Sequence, residues 1–100
     1  DELTLGPLRL VPVQREVWLR DQRLDLTEME YDILELLTRA AGRAVTRDEL
    51  FGALYHRQRS SVERTIDVHV SNLRRKLGED AAGALQTVRG VGYRMRPSER

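Results

Sequence analysis

Ser60-Ser61-Val62-Glu63-Arg64-Thr65-Ile66-Asp67-Val68-His69-Val70-Ser71-Asn72-Leu73-Arg74-Arg75-Lys76-Leu77, closed by Gly78, is the stretch on which the fold turns. Ser60 to Glu63 has the spacing of a capping box and Gly78 is a natural stop, so a helix is predicted over about 61–77. At roughly 100° per residue, Val62, Ile66, Val70, Leu73 and Leu77 fall within about 40° of one line and form a buried stripe. Arg64, Val68, Ser71 and Arg75 lie diametrically opposite, with Thr65 and Asn72 beside them. Arg74 and Lys76 occupy the flanks, and His69 stands about 60° off the stripe, at its boundary.

Two earlier helices announce themselves in the same way. Thr27-Glu28-Met29-Glu30 is a capping box with Leu26 and Tyr31 at the staple positions. Ile33, Leu34, Leu37 and Ala41 follow at helical spacing, and Gly42 is the expected C′ residue. Thr46-Arg47-Asp48-Glu49 opens a second helix through Leu54, stapled by Val45 and Leu50. After the third helix and a small polar connector, Leu85–Arg89 and Tyr93–Arg96 read as strands joined by Gly90-Val91-Gly92. Two glycines there supply the positive φ angles of a tight hairpin. That turn leaves Arg89 at the hairpin tip, with Val88 anchoring the hairpin beside Tyr93.

Residues 3–26 carry a period of two: Leu3 and Leu5, a Gly6-Pro7 turn, Leu8 and Leu10, then two strands about Asp21-Gln22. Trp18 is expected as a core aromatic. The expectation is an α+β winged helix-turn-helix in one domain of 100 residues. An antiparallel β-meander (1–26) precedes a three-helix core (27–78) and a C-terminal β-hairpin wing (85–96).

Composition narrows the function. With 40% apolar and 33% charged residues the chain reads as soluble and globular, and the absence of cysteine excludes disulfides, thiolate metal sites and a cysteine nucleophile. No apolar run nears the ~20 residues of a membrane span, so a cytoplasmic protein without a membrane partner is expected. The net charge of +1 conceals a division. Residues 1–53 carry −4, and residues 54–100 carry +5 from nine arginines and Lys76 against five acids. The basic half suits a polyanion.

The exposed face of the third helix suits the major groove. Arginine binds guanine, asparagine binds adenine bidentately, and a valine methyl meets thymine. Arg74 and Lys76 could reach phosphates on either side, and Arg89 on a thin hairpin could enter the minor groove. Enzymatic readings fail: His56 and His69 have no metal-site spacing, and Gly90-x-Gly92 lacks the context of a dinucleotide fingerprint. Neither a nucleophile elbow nor a phosphate-binding loop occurs. No enzyme and no cofactor is expected. The rival reading, a winged helix that docks a protein, would place aromatic or methionine anchors where Arg, Asn, Ser and one Val stand.

Arg64 to Leu77, with Thr87-Val88-Arg89-Gly90-Val91-Gly92-Tyr93-Arg94, resembles the OmpR/PhoB winged-helix family, the effector domains of two-component response regulators. Through Ser71-Asn72 it looks most like the CpxR branch. The resemblance covers essentially the whole chain, meander included. It implies base contacts from Val68 and Asn72, joined by Ser71 and Arg75 on the same face. It implies backbone contacts from Arg64, Thr65, His69, Arg74 and Thr87, to which the flank adds Lys76. Arg89 matches the wing arginine of the minor groove. Tyr55, His56, Arg57, Gln58 and Arg59 lie in the segment that members use to touch RNA polymerase. Some members carry basic residues at the positions of Ser71 and Asn72, so base preference should differ from theirs. The resemblance further implies double-stranded DNA as ligand and a second copy on a direct repeat. It also implies an upstream receiver domain addressed by a sensor histidine kinase.

Overall fold

Alternation in the first 24 residues produces four short antiparallel strands: β1 (Leu3–Leu5), β2 (Leu8–Val11), β3 (Glu16–Leu19) and β4 (Gln22–Leu24). They are hydrogen-bonded in sequence order in this computed structural model, which describes residues 1–57 and 66–96, with the backbone alone at 56 and 57. The capping box of Ser60 to Glu63, the stripe residue Val62, and Gln58, Arg59, Arg64 and Thr65 therefore lie outside the described residues.

Leu8, Leu10 and Val17 point into the core, which turns the alternate residues outward. Trp18 is among the latter, contrary to the expected core position. It pairs across the strands with Arg9 and Arg23 on the outer face. There the Arg9 guanidinium lies 5.6 Å from its ring and its indole N–H donates to Glu16 at 3.2 Å. Three successive apolar residues, Val17 to Leu19, hide the phase of the strand. The β3–β4 turn is Arg20-Asp21, one residue earlier than expected, because Leu19 pairs with Gln22 and Val17 with Leu24. Arg20 takes a left-handed φ of 56° there, and its N–H extends the β2–β3 pairing to the Pro7 carbonyl.

Helix α1 (Glu28–Arg39) starts at the expected box: Thr27 Oγ1 accepts from Glu30 N at 3.1 Å, and Thr27 N donates to the Glu30 carboxylate at 3.0 Å. It stops earlier than its apolar spacing suggests. Ala40 N is shared between the Leu36 and Leu37 carbonyls, which tightens the last turn. Ala41 then adopts φ 55° as the left-handed cap and is exposed, so the C′ position belongs to Ala41 and Gly42 follows it. Val45–Thr46 forms a short strand, β5, and α2 (Arg47–Arg57) opens with the second box, Thr46 and Glu49 exchanging bonds of 2.9 and 3.0 Å. It runs three residues beyond the expected Leu54.

Helix α3 (Ile66–Ala81) breaks where expected, at Gly78 with φ 72°, and a 3-10 turn at Ala82–Ala84 leads to the hairpin. Ala81 and Ala84 are buried, so the connector packs against the body. The hairpin strands β6 (Leu85–Val88) and β7 (Gly92–Met95) form a sheet of order β5-β7-β6. Its turn is Arg89-Gly90-Val91, closed by Val91 N to the Val88 carbonyl at 2.9 Å, with Gly90 at φ 75°. Gly92 serves otherwise than expected. It has no positive φ, but a Cβ there would stand 2.0 Å from the Val45 carbonyl oxygen across the β5–β7 pair. Thr87, not Val88, pairs with Tyr93 and shares its face.

The core joins Leu8, Leu10 and Val17 of the first sheet to Ile33, Leu34 and Leu37 of α1. Leu50, Leu54, Met95 and, from α3, Ile66, Val70, Leu73 and Leu77 pack with them. Replacing Gly92 by alanine forces β5 and β7 apart, since the obstacle is backbone. Gly92→Ala is expected to cost about 1–3 kcal/mol in urea unfolding with the m-value unchanged.

Candidate nucleic-acid interface

The core stripe sets the rotation of α3. Ile66, Val70, Leu73 and Leu77 are all buried, so the opposite side must face solvent. Val68 is 40% exposed, Ser71 and Arg75 are exposed, and Asn72 and His69 are half-buried beside them. The four residues expected to face bases thus share one surface. Arg75 donates to Asn72 Oδ1 at 2.8 Å, which orients the Asn72 amide.

The two flanking cations are engaged within the protein. Arg74 reaches from α3 to β6, its Nε and Nη2 donating to the Leu85 carbonyl at 3.1 and 2.9 Å, and Nη2 to Thr87 Oγ1 at 2.8 Å. Lys76 Nζ donates to the Glu30 carboxylate at 2.8 Å, and that carboxylate is almost wholly buried. Thr87 is exposed beside Arg74, and Arg89 is exposed in the hairpin turn. Tyr55 packs against Phe51 with ring centroids 4.5 Å apart, and Phe51 is 57% exposed. The other members of that segment, His56 to Arg59, have no described side chain. Arg64 and Thr65 likewise lie outside the described residues.

A network that the motifs did not single out joins these parts. Arg47, at the start of α2, donates to Asp67 at 3.0 Å and to the Tyr93 hydroxyl at 3.4 Å. The Tyr93 hydroxyl itself donates to Asp67. The guanidinium carbons of Arg47 and Arg74 lie 5.0 and 5.7 Å from the Tyr93 ring centroid. Burial and the Asp67 carboxylate push the Tyr93 phenol up, and the bond from Tyr93 with Arg47 beside it holds Asp67 down. Asp67 and Tyr93 sit inside the two quoted motifs, but Arg47 carries no local signal of this role. Among the described residues no group of His, Cys, Asp or Glu is arranged to hold a metal ion, and no helix is long and apolar enough to cross a membrane.

Burial pushes the Glu30 carboxyl up, but the bonds from Lys76 and Thr27 outweigh it and hold the group below its ordinary value. A depressed carboxyl stabilises the fold above its unfolded pKa, and that contribution is lost as pH falls through the folded one. Lys76→Met is therefore expected to cost about 1–3 kcal/mol at neutral pH, by leaving Glu30 short of a partner. The gap between mutant and parent should close in urea titrations taken from roughly pH 5 to pH 3, as Glu30 protonates.

Residues 21–95 match the family described as "Transcriptional regulatory protein, C terminal". The response regulator PmrA of Pseudomonas aeruginosa is 39% identical over 92 residues, covering 92% of this chain and 40% of that protein. The chain spans about two fifths of the length of the curated relatives it matches. The Klebsiella pneumoniae RstA DNA-binding domain, solved in complex with the RstA box, superposes with a TM-score of 0.83 at 32% identity, covering 98% of this chain and 99% of that one. The DNA-binding domain of CpxR from E. coli gives 0.83 at 34% identity, with 99% of each chain covered. Both superpositions span nearly the whole of each chain, and the chain belongs to the OmpR/PhoB-type family of response-regulator DNA-binding domains.

Proposed function

We propose that this domain binds double-stranded DNA in a sequence-dependent way, with α3 in the major groove and Arg89 in the minor groove, and so regulates transcription. The observation that carries the reading is the exposed face of α3. Val68, Ser71, Asn72 and Arg75 gather a methyl, a hydroxyl, an amide and a guanidinium on a helix whose rotation the core fixes. Such groups read base edges, and a protein-docking helix would present larger apolar anchors. The RstA domain bound to its box, a structure of the same fold, supports it.

Finer roles follow. His69, Arg74 and Thr87 contact the DNA backbone, where Arg74 acts partly by holding Thr87 in place and Lys76, held by Glu30, takes no part; Arg64 and Thr65, outside the described residues, join them. Two copies occupy a direct repeat, and a receiver domain in the full-length protein, phosphorylated by a sensor kinase, raises their joint occupancy. The exposed Phe51, packed on half-buried Tyr55, contacts RNA polymerase together with the segment to Arg59. These events belong to the cytoplasm.

Affinity of one domain for its site is expected to fall with a logarithmic salt slope of about −3 to −4, because Lys76 is committed to Glu30. A flat response in a salt titration excludes DNA as the main ligand. Asn72→Ala is expected to relax preference at one or two base pairs, costing about 1–3 kcal/mol on the best site and little on random DNA. Site selection from a random library reads this directly. Arg89→Ala should weaken sites with an A·T-rich flank more than G·C-rich versions, since narrow minor grooves attract the guanidinium. Equal losses, measured by fluorescence anisotropy at one salt concentration, would mark Arg89 as a solvated charge.

A further inference from the structure

Asp67 is misplaced by electrostatics alone. Its side chain is 56% exposed on α3, next to Val68 of the base-facing surface, where a carboxylate repels approaching phosphates. Yet it gathers a bond from Arg47 and one from the buried Tyr93 hydroxyl. Tyr93 belongs to the wing strand β7, Arg47 to the start of α2 and Asp67 to the recognition helix. Three separate elements of the interface thus meet at one carboxylate oxygen.

From this we infer that Asp67 and Tyr93 are positioning residues, a clamp that sets the wing against α3 so that Arg89 and the α3 face engage one DNA site together. This rests on the DNA reading above and deepens it. Arg74 closes the other side of the same joint, holding β6 through the Leu85 carbonyl and Thr87. The guanidinium carbons of both arginines lie near the Tyr93 ring, 5.0 and 5.7 Å from its centroid, and help hold it beside Asp67. Arg89 follows β6 at the turn, one residue past Val88. A small rotation of the hairpin about its base would move that tip guanidinium by more than a hydrogen bond's tolerance. The carboxylate is kept for geometry, at an electrostatic cost to binding.

The two accounts of Asp67 predict opposite signs. Asp67→Ala removes a negative charge, which tightens DNA binding if charge is all that matters. The clamp predicts weaker binding. Tyr93→Phe changes no charge and keeps the ring near Arg47 and Arg74, so it isolates the hydroxyl.

The decisive measurement is a double-mutant cycle on the 100-residue chain, pairing Arg89→Ala with Tyr93→Phe and with Asp67→Ala, on a selected site with an A·T-rich flank. Thermal unfolding of each variant confirms that it is folded. The expected result is that the penalty for Arg89→Ala shrinks about threefold to tenfold in either clamp mutant. Arg89 can then no longer be delivered. A folded Tyr93→Phe that keeps the full Arg89 penalty overturns the clamp, as does Asp67→Ala that binds more tightly than the parent. If the parent chain shows no binding, or no Arg89 effect, the DNA reading of the wing fails and the clamp with it. A clamp that fails alone leaves parental binding and the Arg89 penalty intact in every background.

Discussion

The rotation of α3 about its own axis is the constraint on which everything else depends. Four side chains of that helix, Ile66, Val70, Leu73 and Leu77, are almost completely buried, and burial of each contributes about 1.5–3 kcal/mol relative to exposure. Turning the helix by one residue would put an arginine or a serine into that core. The apolar stripe therefore decides which polar groups are exposed, and the functional surface is the complement of the hydrophobic one. The flanks are then locked by long side chains, Lys76 toward α1 and Arg74 toward β6, so the helix is held on three sides.

Charge is distributed in keeping with this arrangement. Apart from Glu30, which holds Lys76, carboxylates of the acidic half pair with arginines of the same half: Asp32 with Arg15, Glu35 with Arg39, and Glu49 with Arg43 and the start of α2. Most of these pairs are exposed, so each contributes little to stability. Arg15–Asp32 is the exception, with Asp32 buried and the Arg15 guanidinium also stacked 4.6 Å from the Tyr31 ring centroid. Their larger effect is to cancel charge away from α3. Within α3 itself Arg74, Arg75 and Lys76 are balanced by Asp67, Glu79 and Asp80, whereas residues 85–96 of the hairpin carry Arg89, Arg94 and Arg96 with no acid, and a polyanion would meet the basic excess there.

What could be read from the sequence was local or periodic. The boxes at Thr27 and Thr46, the α3 stripe and the stop at Gly78 each depend on residues within a turn or two of one another. The β-meander showed through its alternation, although Trp18 did not, because its two apolar neighbours mask which residue faces in. β5 was invisible: two residues carry no period, and the strand exists because β7 lies against it at Gly92. The candidate site divides in the same way. A helical wheel places Arg74 and Lys76 on the flanks but says nothing of partners 11 and 46 residues away. Arg47, 20 residues from Asp67 and 46 from Tyr93, is known only from tertiary structure.

These long-range contacts bear on how such a domain reads DNA. In the proposed reading the exposed groups of α3 alone would discriminate weakly, since Arg75 already donates to Asn72 and that amide would exchange one partner for another on binding. A second contact in the neighbouring groove adds affinity only if its geometry is fixed beforehand, because ordering a mobile hairpin would consume much of the gain. The structure meets that condition with few residues. Gly92 lets β7 lie directly against β5, Arg74 ties β6 to α3, and Tyr93 joins the wing to Asp67. The hairpin is therefore tied to α3 at its base, and its three-residue turn, closed by Val91 N to the Val88 carbonyl, places Arg89 directly after the end of β6.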